Sequence, residues 1–459
     1  MASRILKEWN PEDDAFWRDR GKRIANTNLW ISIPALFLAF AVWMVWSVVV
    51  VNLPRVGFSF STNQLFWLAA LPGLSGATLR IFYSFMVPIF GGRLWTTLST
   101  ASLLLPAVGI GLAVQNPNTP YGIFLLLALL CGFGGGNFAS SMANISFFFP
   151  KAQKGMALGL NAGLGNLGVS AMQFLVPIVI TAGVFGSLGG HPQILEGTEG
   201  ARPVWLQNAG FIWVPFILAN TFAAWFGMHD IAAAKASFSE QAVIFKRKHN
   251  WLMCWLYLGT FGSFIGYSAG MPLLIKGQFP HIDPTRYAFL GPFVGALARP
   301  LGGWIADKLG GARVTFWNFN VMALAVLGVL YFLPENGSGG HFWGFLGMFV
   351  LLFLTTGIGN GSTFRMIPVI FMRLHEEGKS DETALEQARR EAAKESAAVL
   401  GFSSAFAAYG AFFIPKAFGS SISLTGGAEA ALYGFLAFYL SCIAVTWWYY
   451  ARKGAQMPC

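Results

Sequence analysis

Long apolar runs, separated by short segments that carry charges or turn residues, recur along the whole chain. A helix that crosses the hydrocarbon core of a bilayer needs about 20 mostly apolar residues. The first run of that length begins at Leu29 and continues to Leu53. Twelve such runs predict twelve membrane-spanning helices. They cover residues 29–53, 64–90, 94–114, 119–149, 154–186, 208–229, 250–275, 285–307, 312–334, 341–373, 396–420 and 427–451.

The overall composition agrees with a bundle of packed membrane helices. Of the 459 residues, 55% are hydrophobic and 11% are charged, whereas soluble domains contain about 25% charged residues. The chain also has 54 glycines, and small residues allow close packing between membrane helices. These features exclude a large soluble protein and favour an all-α membrane protein in a lipid bilayer.

The net charge of +10 is distributed as the topology of a membrane protein requires. If both termini lie on one side, the segments on that side hold 22 of the 30 Lys and Arg residues, and the opposite loops hold four or five. Basic residues concentrate on the cytoplasmic side of membrane proteins. We therefore expect a multi-pass protein of the cytoplasmic (inner) membrane with both termini in the cytoplasm, and no nucleic-acid partner.

Cysteine and histidine give no support for metal chemistry. The four cysteines have no CxxC spacing, three of them lie in apolar runs, and the six histidines are scattered. We expect neither a metal site nor a disulfide framework, and no cofactor.

The apolar runs group into two halves joined by a charged linker. Residues 376–395 are rich in alanine and charge and predict a solvated helix inserted between helices ten and eleven. A plain connector and a regulatory element are both interpretations of this insertion. The predicted organisation is an N-terminal segment (1–28), a six-helix bundle (29–230), a linker (231–249), a second six-helix bundle (250–453) and a tail (454–459).

The two halves repeat each other in order. Arg80 and Arg299 precede matching glycine-rich loops at an offset of 219 residues, and the glycine clusters of helices four and ten match at 225. Helices five and eleven match at 242, a jump of 17 that falls at the insertion. Parallel six-helix halves related by an axis along the membrane normal are the arrangement of the major facilitator fold. We therefore predict two pseudo-symmetric six-helix bundles.

The loop after helix eight carries a charged motif. Its residues, from Gly303 through Asp307 to Arg313, resemble the G-x-x-x-D-[RK]-x-G motif of the major facilitator superfamily. The first-half copy, Gly91-Gly92-Arg93, lacks the acidic residue. The resemblance implies a charge-paired gate at Asp307, and an ordinary glycine-rich turn is the alternative.

Arg80 and Arg299 are the candidate chemistry. They lie at nearly equal depth in equivalent helices, and no Asp or Glu occupies the central part of any predicted span. A charged residue at a helix centre costs about 2.5–3.5 kcal/mol on insertion scales. A guanidinium donates two parallel hydrogen bonds to a planar oxyanion. The pair predicts an anion site, and the alternative is that each arginine snorkels or pairs with backbone carbonyls.

The missing carboxylates also bear on mechanism. Proton-coupled carriers relay protons through buried Asp, Glu or His, and the spans offer no candidate. We therefore expect that reorientation requires a bound anion, which makes the protein an exchanger. Another small-anion carrier and an anion channel are the alternatives. No P-loop, HExxH or GxSxG motif is present, so we expect no enzyme.

Five segments carry a resemblance to a known family. Arg80–Arg93, Gly136–Lys151, Ala157–Gly168, Tyr257–Gly266 and Gly295–Arg299 resemble the nitrate/nitrite porter family of the major facilitator superfamily, NarK/NarU-type. The resemblance implies a monomeric transporter (antiporter) of nitrate and nitrite in nitrate assimilation. Nitrate–proton symport is a further alternative.

The resemblance also assigns site residues. It implies that Arg80 and Arg299 clamp the anion, that Phe138 and Phe261 sandwich its plane, and that Tyr257 supplies a hydroxyl. On residue type alone, the two phenylalanines are more often core residues.

The family fingerprint is a glycine-rich stretch in helices five and eleven. Gly155, Gly159 and Gly163 have i,i+4 spacing and predict a smooth seam along which helices slide, with Gly168 beyond it. Asn166, one turn past the seam, is a candidate anion ligand.

The second copy of the fingerprint keeps Gly401 and Gly410 but is otherwise rich in alanine. Ser362 and Ser404 are candidate donors to the substrate, with helix packing as the alternative. Arg365 departs from the family pattern, and snorkelling to the surface or lining an inner vestibule would explain it.

Overall fold

The computed structural model describes residues 4–195, 202–232, 242–334 and 339–459. These residues are mostly helical, and twelve long helices follow one another in the chain. They are α1 (Asp14–Val56), α2 (Thr62–Tyr83), α3 (Gly92–Ala113), α4 (Tyr121–Phe148), α5 (Lys151–Val179), α6 (Asn208–Gly227), α7 (Lys248–Gln278), α8 (Leu290–Leu309), α9 (Gly311–Phe332), α10 (Phe342–Glu376), α11 (Glu382–Thr425) and α12 (Glu429–Ala451).

Eleven of the twelve are long and apolar enough to cross a membrane. The other, α8, has 20 residues and is less apolar because it carries charged residues, among them Arg299. The prediction of an all-α membrane protein is confirmed.

Several long helices contain local breaks. A turn of π-helix, Leu258–Gly262, interrupts α7, and Tyr409 separates the two parts of α11. The continuous parts are Asp14–Phe16, Trp17–Gly21 (π), Lys22–Met44, Trp46–Asn52 and Leu53–Val56 (3₁₀) in α1; Gly92–Ala101 and Leu104–Ala113 in α3; Asn208–Phe211 and Val214–Gly227 in α6; Lys248–Tyr257 and Ser263–Gln278 in α7; Glu382–Ala408 and Gly410–Thr425 in α11; and Glu429–Thr446 and Trp447–Ala451 (π) in α12.

Some ends differ from the sequence prediction. Helix α1 starts at Asp14, before the apolar run, because the Asp13 carboxylate caps the first backbone N–H groups. Helix α2 ends at Tyr83, and the short helix Met86–Phe90 follows. Helix α5 ends at Val179.

The predicted insertion 376–395 is helical from Glu382 onward, but it is not a separate helix. It is capped by Asp381, whose side chain accepts from the Ala384 N–H, and it runs without a break to Ala408. The start of α11 is therefore charged and its later part apolar. Of the predicted linker 231–249, residues 233–241 lie outside the described residues.

In the described parts of the chain, four short strands form two small sheets. Strand β1 (Ile5–Leu6) pairs in parallel with β4 (Asp230–Ile231), and β2 (Gln193–Leu195) pairs antiparallel with β3 (Arg202–Val204). The first pairing ties the N-terminal segment to the chain that follows α6.

The N-terminal segment also contacts the junction of α4 and α5. The Trp9 indole donates to the Phe147 carbonyl at 3.1 Å. A Glu12 carboxylate oxygen accepts from the Lys151 N–H at 2.9 Å, at the first turn of α5, where a negative charge is favourable.

The described residues pack into two compact units. The first contains the described parts of Met1–Ala236, Ser268–Phe293 and Ala411–Gly419, and the second contains those of Ser237–Tyr267, Val294–Gly410 and Ser420–Cys459. Within the first unit, α11 approaches α2 closely at Gly73. A Cβ at this position would lie 2.3 Å from the backbone of Ala411.

Candidate anion-binding site

Arg80 lies in α2 and is fully buried in the first unit. Its Nε donates to the carbonyl of Gly135 in α4 at 2.9 Å. Its guanidinium carbon lies 4.9 Å from the ring centroid of Phe138 and 5.3 Å from that of Trp43. The aromatic faces and the carbonyl hold the cation inside the helix bundle.

Glycines permit this approach of α1, α2 and α4. A Cβ on Gly76 would lie 2.6 Å from the Trp43 indole nitrogen, and a Cβ on Gly135 would lie 2.7 Å from the Gly76 Cα. The same indole nitrogen donates to the Pro72 carbonyl at 2.7 Å. Trp43 is therefore held firmly in place.

Arg299 lies in α8 within the second unit, and 8% of it is exposed. Its Nη2 donates to the Tyr257 hydroxyl at 3.4 Å, and its guanidinium carbon lies 5.5 Å from the Phe364 ring centroid. Among the described residues, Nη1 has no hydrogen-bond partner, and Arg299 forms no ion pair with the carboxylates the structure describes. A buried N–H without a partner is costly, so this nitrogen suits a polar ligand.

The π-turn of α7 lies beside this arginine. Tyr257 immediately precedes the turn and Phe261 lies within it; both are buried, with ring centroids 5.7 Å apart and planes 19° apart. Single π-turns inside α-helices occur frequently at functional sites. The predicted hydroxyl donor and aromatic ring of α7 thus lie together.

Sequence reasoning missed Trp43 and Phe364. Phe364 contacts both Arg299 and Tyr257, with 6.3 Å between the phenylalanine and tyrosine ring centroids. Aromatic residues make up 16% of the chain, and neither Trp43 nor Phe364 has a spacing that distinguishes it from the others. Only the packing of α10 on α8 and of α1 on α2 brings these rings to the arginines.

The remaining predicted ligands have different surroundings. Asn166 is buried in α5, and its amide oxygen has no partner among the described residues. The Ser362 hydroxyl lies 2.8 Å from the Thr315 hydroxyl of α9. The Ser404 hydroxyl donates to the Gly401 carbonyl at 2.9 Å. Ser362 therefore contributes to helix packing, whereas the Asn166 oxygen can still accept a hydrogen bond.

The glycines of the fingerprint divide into two groups. A Cβ on Gly168 would lie 2.1 Å from the Phe37 carbonyl oxygen, and one on Gly410 would lie 2.3 Å from the Gly262 carbonyl oxygen. Within the described parts of the chain, a Cβ meets nothing within 4 Å at the other four positions. These are Gly155, Gly159, Gly163 and Gly401.

Arg365, the unusual residue of α10, pairs with the acidic residue of the motif. Its Nε donates to Asp307 Oδ1 at 2.6 Å, and Nη2 approaches the same oxygen. About half of each side chain is exposed. The contact joins α8 and α10 at the surface of the second unit.

In the first-half copy of the motif, Arg93 contacts an acidic residue that is distant in the sequence. Arg93 donates its backbone N–H to Asp230 at 2.7 Å, and its guanidinium lies 4.8 Å from the Trp225 ring centroid. Burial lowers the pKa of the neighbouring His229. The acidic residue missing from the first copy is therefore replaced by one that follows α6.

Comparison with known proteins defines the class. A family model described as Major Facilitator Superfamily matches residues 35–381. Together with the twelve helices, this match makes the chain a secondary transporter of that superfamily, and not an enzyme.

Similar full-length proteins narrow the class further. The chain is 55% identical over 456 residues to "Nitrate/nitrite transporter NarU" of Escherichia coli (strain K12), covering 98% of this chain and 96% of that protein. It is 56% identical over 457 residues to NarU of Salmonella typhimurium, again covering 98% and 96%. It is 45% identical over 460 residues to "Probable nitrate/nitrite antiporter NarK2" of Thermus thermophilus, covering 99% and 98%. The chain belongs to the nitrate/nitrite porter family of the major facilitator superfamily.

Proposed function

We propose that this protein moves nitrate and nitrite across the membrane by exchange, with both chain termini in the cytoplasm. The observation that carries the proposal is the buried Nη1 of Arg299, which has no hydrogen-bond partner among the described residues and belongs to the guanidinium that contacts the Tyr257 hydroxyl. A planar oxyanion can accept hydrogen bonds from both. The names of the similar transporters support nitrate and nitrite as the anions.

Aromatic rings face both arginines, and a hydroxyl lies beside one of them. Phe138 and Trp43 face the guanidinium of Arg80, and Phe364 faces that of Arg299. Flat ring faces suit a flat ion, and Nη1 of Arg299, which has no partner among the described residues, can donate to its rim. We infer that Arg80 and Arg299 clamp the anion, with Phe138 and Phe261 against its faces.

Exchange is favoured over proton coupling because of the charges in the spans. The sequence places no carboxylate in their central part, and Arg299 forms no ion pair among the described residues. An empty site would carry uncompensated positive charge through the closed state, which is costly in low dielectric. A bound anion removes that cost, so reorientation is tied to occupancy.

Counterflow tests the proposal. Proteoliposomes preloaded with nitrite are expected to take up external nitrate several times faster than empty liposomes, with or without a pH gradient, because only the loaded carrier reorients. Nitrate uptake into empty liposomes driven by an acidic exterior would instead establish proton symport. Rates far above those of carriers, without trans-stimulation, would indicate a channel. Stronger competition by formate or phosphate than by nitrite would reject the assigned substrates.

Replacing Phe364 tests whether this ring, which the sequence did not indicate, contributes to anion binding. Phe364→Leu removes the ring face next to Arg299, and we expect the nitrate KM to rise about 3- to 10-fold, since a desolvated cation–π contact contributes about 0.5–2 kcal/mol. Phe345→Leu is the matched control, because Phe345 is buried in the same helix against Phe349. Equal KM values in the two variants would contradict a role for Phe364 at the site.

A further inference from the structure

A buried carboxylate in α11 joins the start of α7 and the end of α10 in the second unit. Glu395 lies in the charged first part of α11, and its side chain is 5% exposed. Its carboxylate accepts from Arg247 Nε at 2.6 Å and from Arg247 Nη2 at 3.2 Å. Arg247 immediately precedes α7, so the start of this helix is tied to α11 by a two-point contact.

The same carboxylate contacts the end of α10. His375 Nε2 lies 2.6 Å from Glu395 Oε2, and His375 Nδ1 lies 3.6 Å from Glu391 Oε2. A carboxylate only accepts, so Nε2 carries the hydrogen of this bond. Glu395 thereby accepts hydrogen bonds from Arg247 at the start of α7 and from His375 at the end of α10.

Burial distinguishes this contact from the other ion pairs of the insertion. The Glu386–Arg390 pair is within one turn of α11, and both side chains are about two-thirds exposed. Exposed pairs contribute little, about 0–1 kcal/mol. A buried carboxylate is different, because losing a partner leaves a polar group uncompensated. Glu395 therefore holds its partners where Glu386 does not.

The three helices connect this contact to the candidate site. Tyr257 follows Arg247 by ten residues, Phe364 precedes His375 by eleven, and Ser404 follows Glu395 by nine. At 1.5 Å per residue these separations are about 14–17 Å along each helix. A displacement at Glu395 is thus transmitted by three rigid helices over similar lengths.

We propose that Glu395 is a positioning residue that makes the start of α7, the end of α10 and the first part of α11 move together when the transporter reorients. The inserted segment is then part of the moving machinery and not only a connector. This role rests on the proposed transport function. It predicts a change in the rate of reorientation with little change in anion affinity, because Glu395 does not touch the candidate site.

The test is Glu395→Gln in the full-length protein, assayed by nitrite/nitrate counterflow in proteoliposomes. We expect turnover to fall about fivefold or more while the nitrate KM stays within about twofold of wild type, the pattern of a lost interaction that does not bind substrate. Glu386→Gln is the matched control, with both parameters within about twofold of wild type. Glu395→Asp, which keeps the charge, is expected to recover part of the turnover.

The outcomes separate the proposed role of Glu395 from the proposed nitrate/nitrite exchange. Wild-type turnover in Glu395→Gln, or equal losses in Glu395→Gln and Glu386→Gln, overturns the role of Glu395. A KM that rises as much as turnover falls also overturns it. Wild-type liposomes without nitrite-stimulated nitrate entry overturn the proposed function and this role with it. If Glu395→Gln does not fold, Arg247→Lys keeps the charge but loses the two-point contact, and the same turnover loss is expected.

Discussion

Arg299→Lys is expected to weaken nitrate binding about 10- to 100-fold, because hydrogen bonds to charged groups contribute about 1.5–3 kcal/mol. Lysine keeps the positive charge but not the planar fork. The Arg299 guanidinium offers one nitrogen to Tyr257 and has another without a partner in the described structure. An ammonium cannot occupy both positions. Nitrate binding to purified protein, followed by isothermal titration or tryptophan fluorescence, measures the loss.

Arg80→Lys is the second arm of this experiment. Arg80 donates its Nε–H to the Gly135 carbonyl and lies against Phe138 and Trp43. A lysine ammonium is a single group, so it can donate to the carbonyl or to the anion but does not reach both as the guanidinium does. The control is Arg390→Lys, because Arg390 is exposed and pairs with Glu386 on the same helix. Near-normal nitrate affinity in folded Arg299→Lys and Arg80→Lys proteins would rule out the arginine clamp.

Gly168→Ala is expected to lower the free energy of unfolding by about 3 kcal/mol or more, at the upper end of the usual cost of overpacking. The new methyl would lie 2.1 Å from the Phe37 carbonyl oxygen and 3.2 Å from the Ala41 nitrogen. Both contacts are backbone atoms of α1, so no side chain can move aside and the two helices must separate. Thermal melting in detergent, followed by size-exclusion chromatography, reports the loss of folded protein.

Gly159→Ala is the matched control in the same helix. Its methyl would meet nothing within 4 Å among the described residues. Alanine is a better helix former than glycine by about 0.5–1 kcal/mol, so the melting temperature should hold or rise. Equal melting temperatures for the two variants would contradict the close approach of α1 and α5. Slower counterflow in a stable Gly159→Ala protein would support the predicted sliding seam.

Much of the fold could be predicted from the sequence because the bilayer imposes local rules. A helix in hydrocarbon must satisfy its own backbone groups, so each apolar run reports a helix independently of the rest of the chain. The same rule singles out Arg80 and Arg299, since charge in such a run is costly wherever the run packs. Helix ends were predicted less well. Caps such as Asp13 and Asp381 extend α1 and α11 into charged sequence that carries no apolar signal.

The pairing of charged side chains that are far apart in the sequence depended on tertiary structure. Arg365, for which the sequence predicts either snorkelling or a place in an inner vestibule, pairs with Asp307 across 58 positions, and Arg93 pairs with Asp230 across 137. No local pattern encodes such distances, because they follow from how helices rotate and pack against one another.

The sequence by itself determined the helical membrane fold, the family and the two intramembrane arginines, because each rests on local composition or on motifs. Only the tertiary structure decided that Trp43 and Phe364 face those arginines and that Gly168, but not Gly159, lies against a neighbouring backbone. It also decided that Glu395 of α11 joins the start of α7 and the end of α10. The physical reason is that the helix carrying a side chain sets the direction of that side chain, whereas the packing of a second helix against the first decides which residue it contacts.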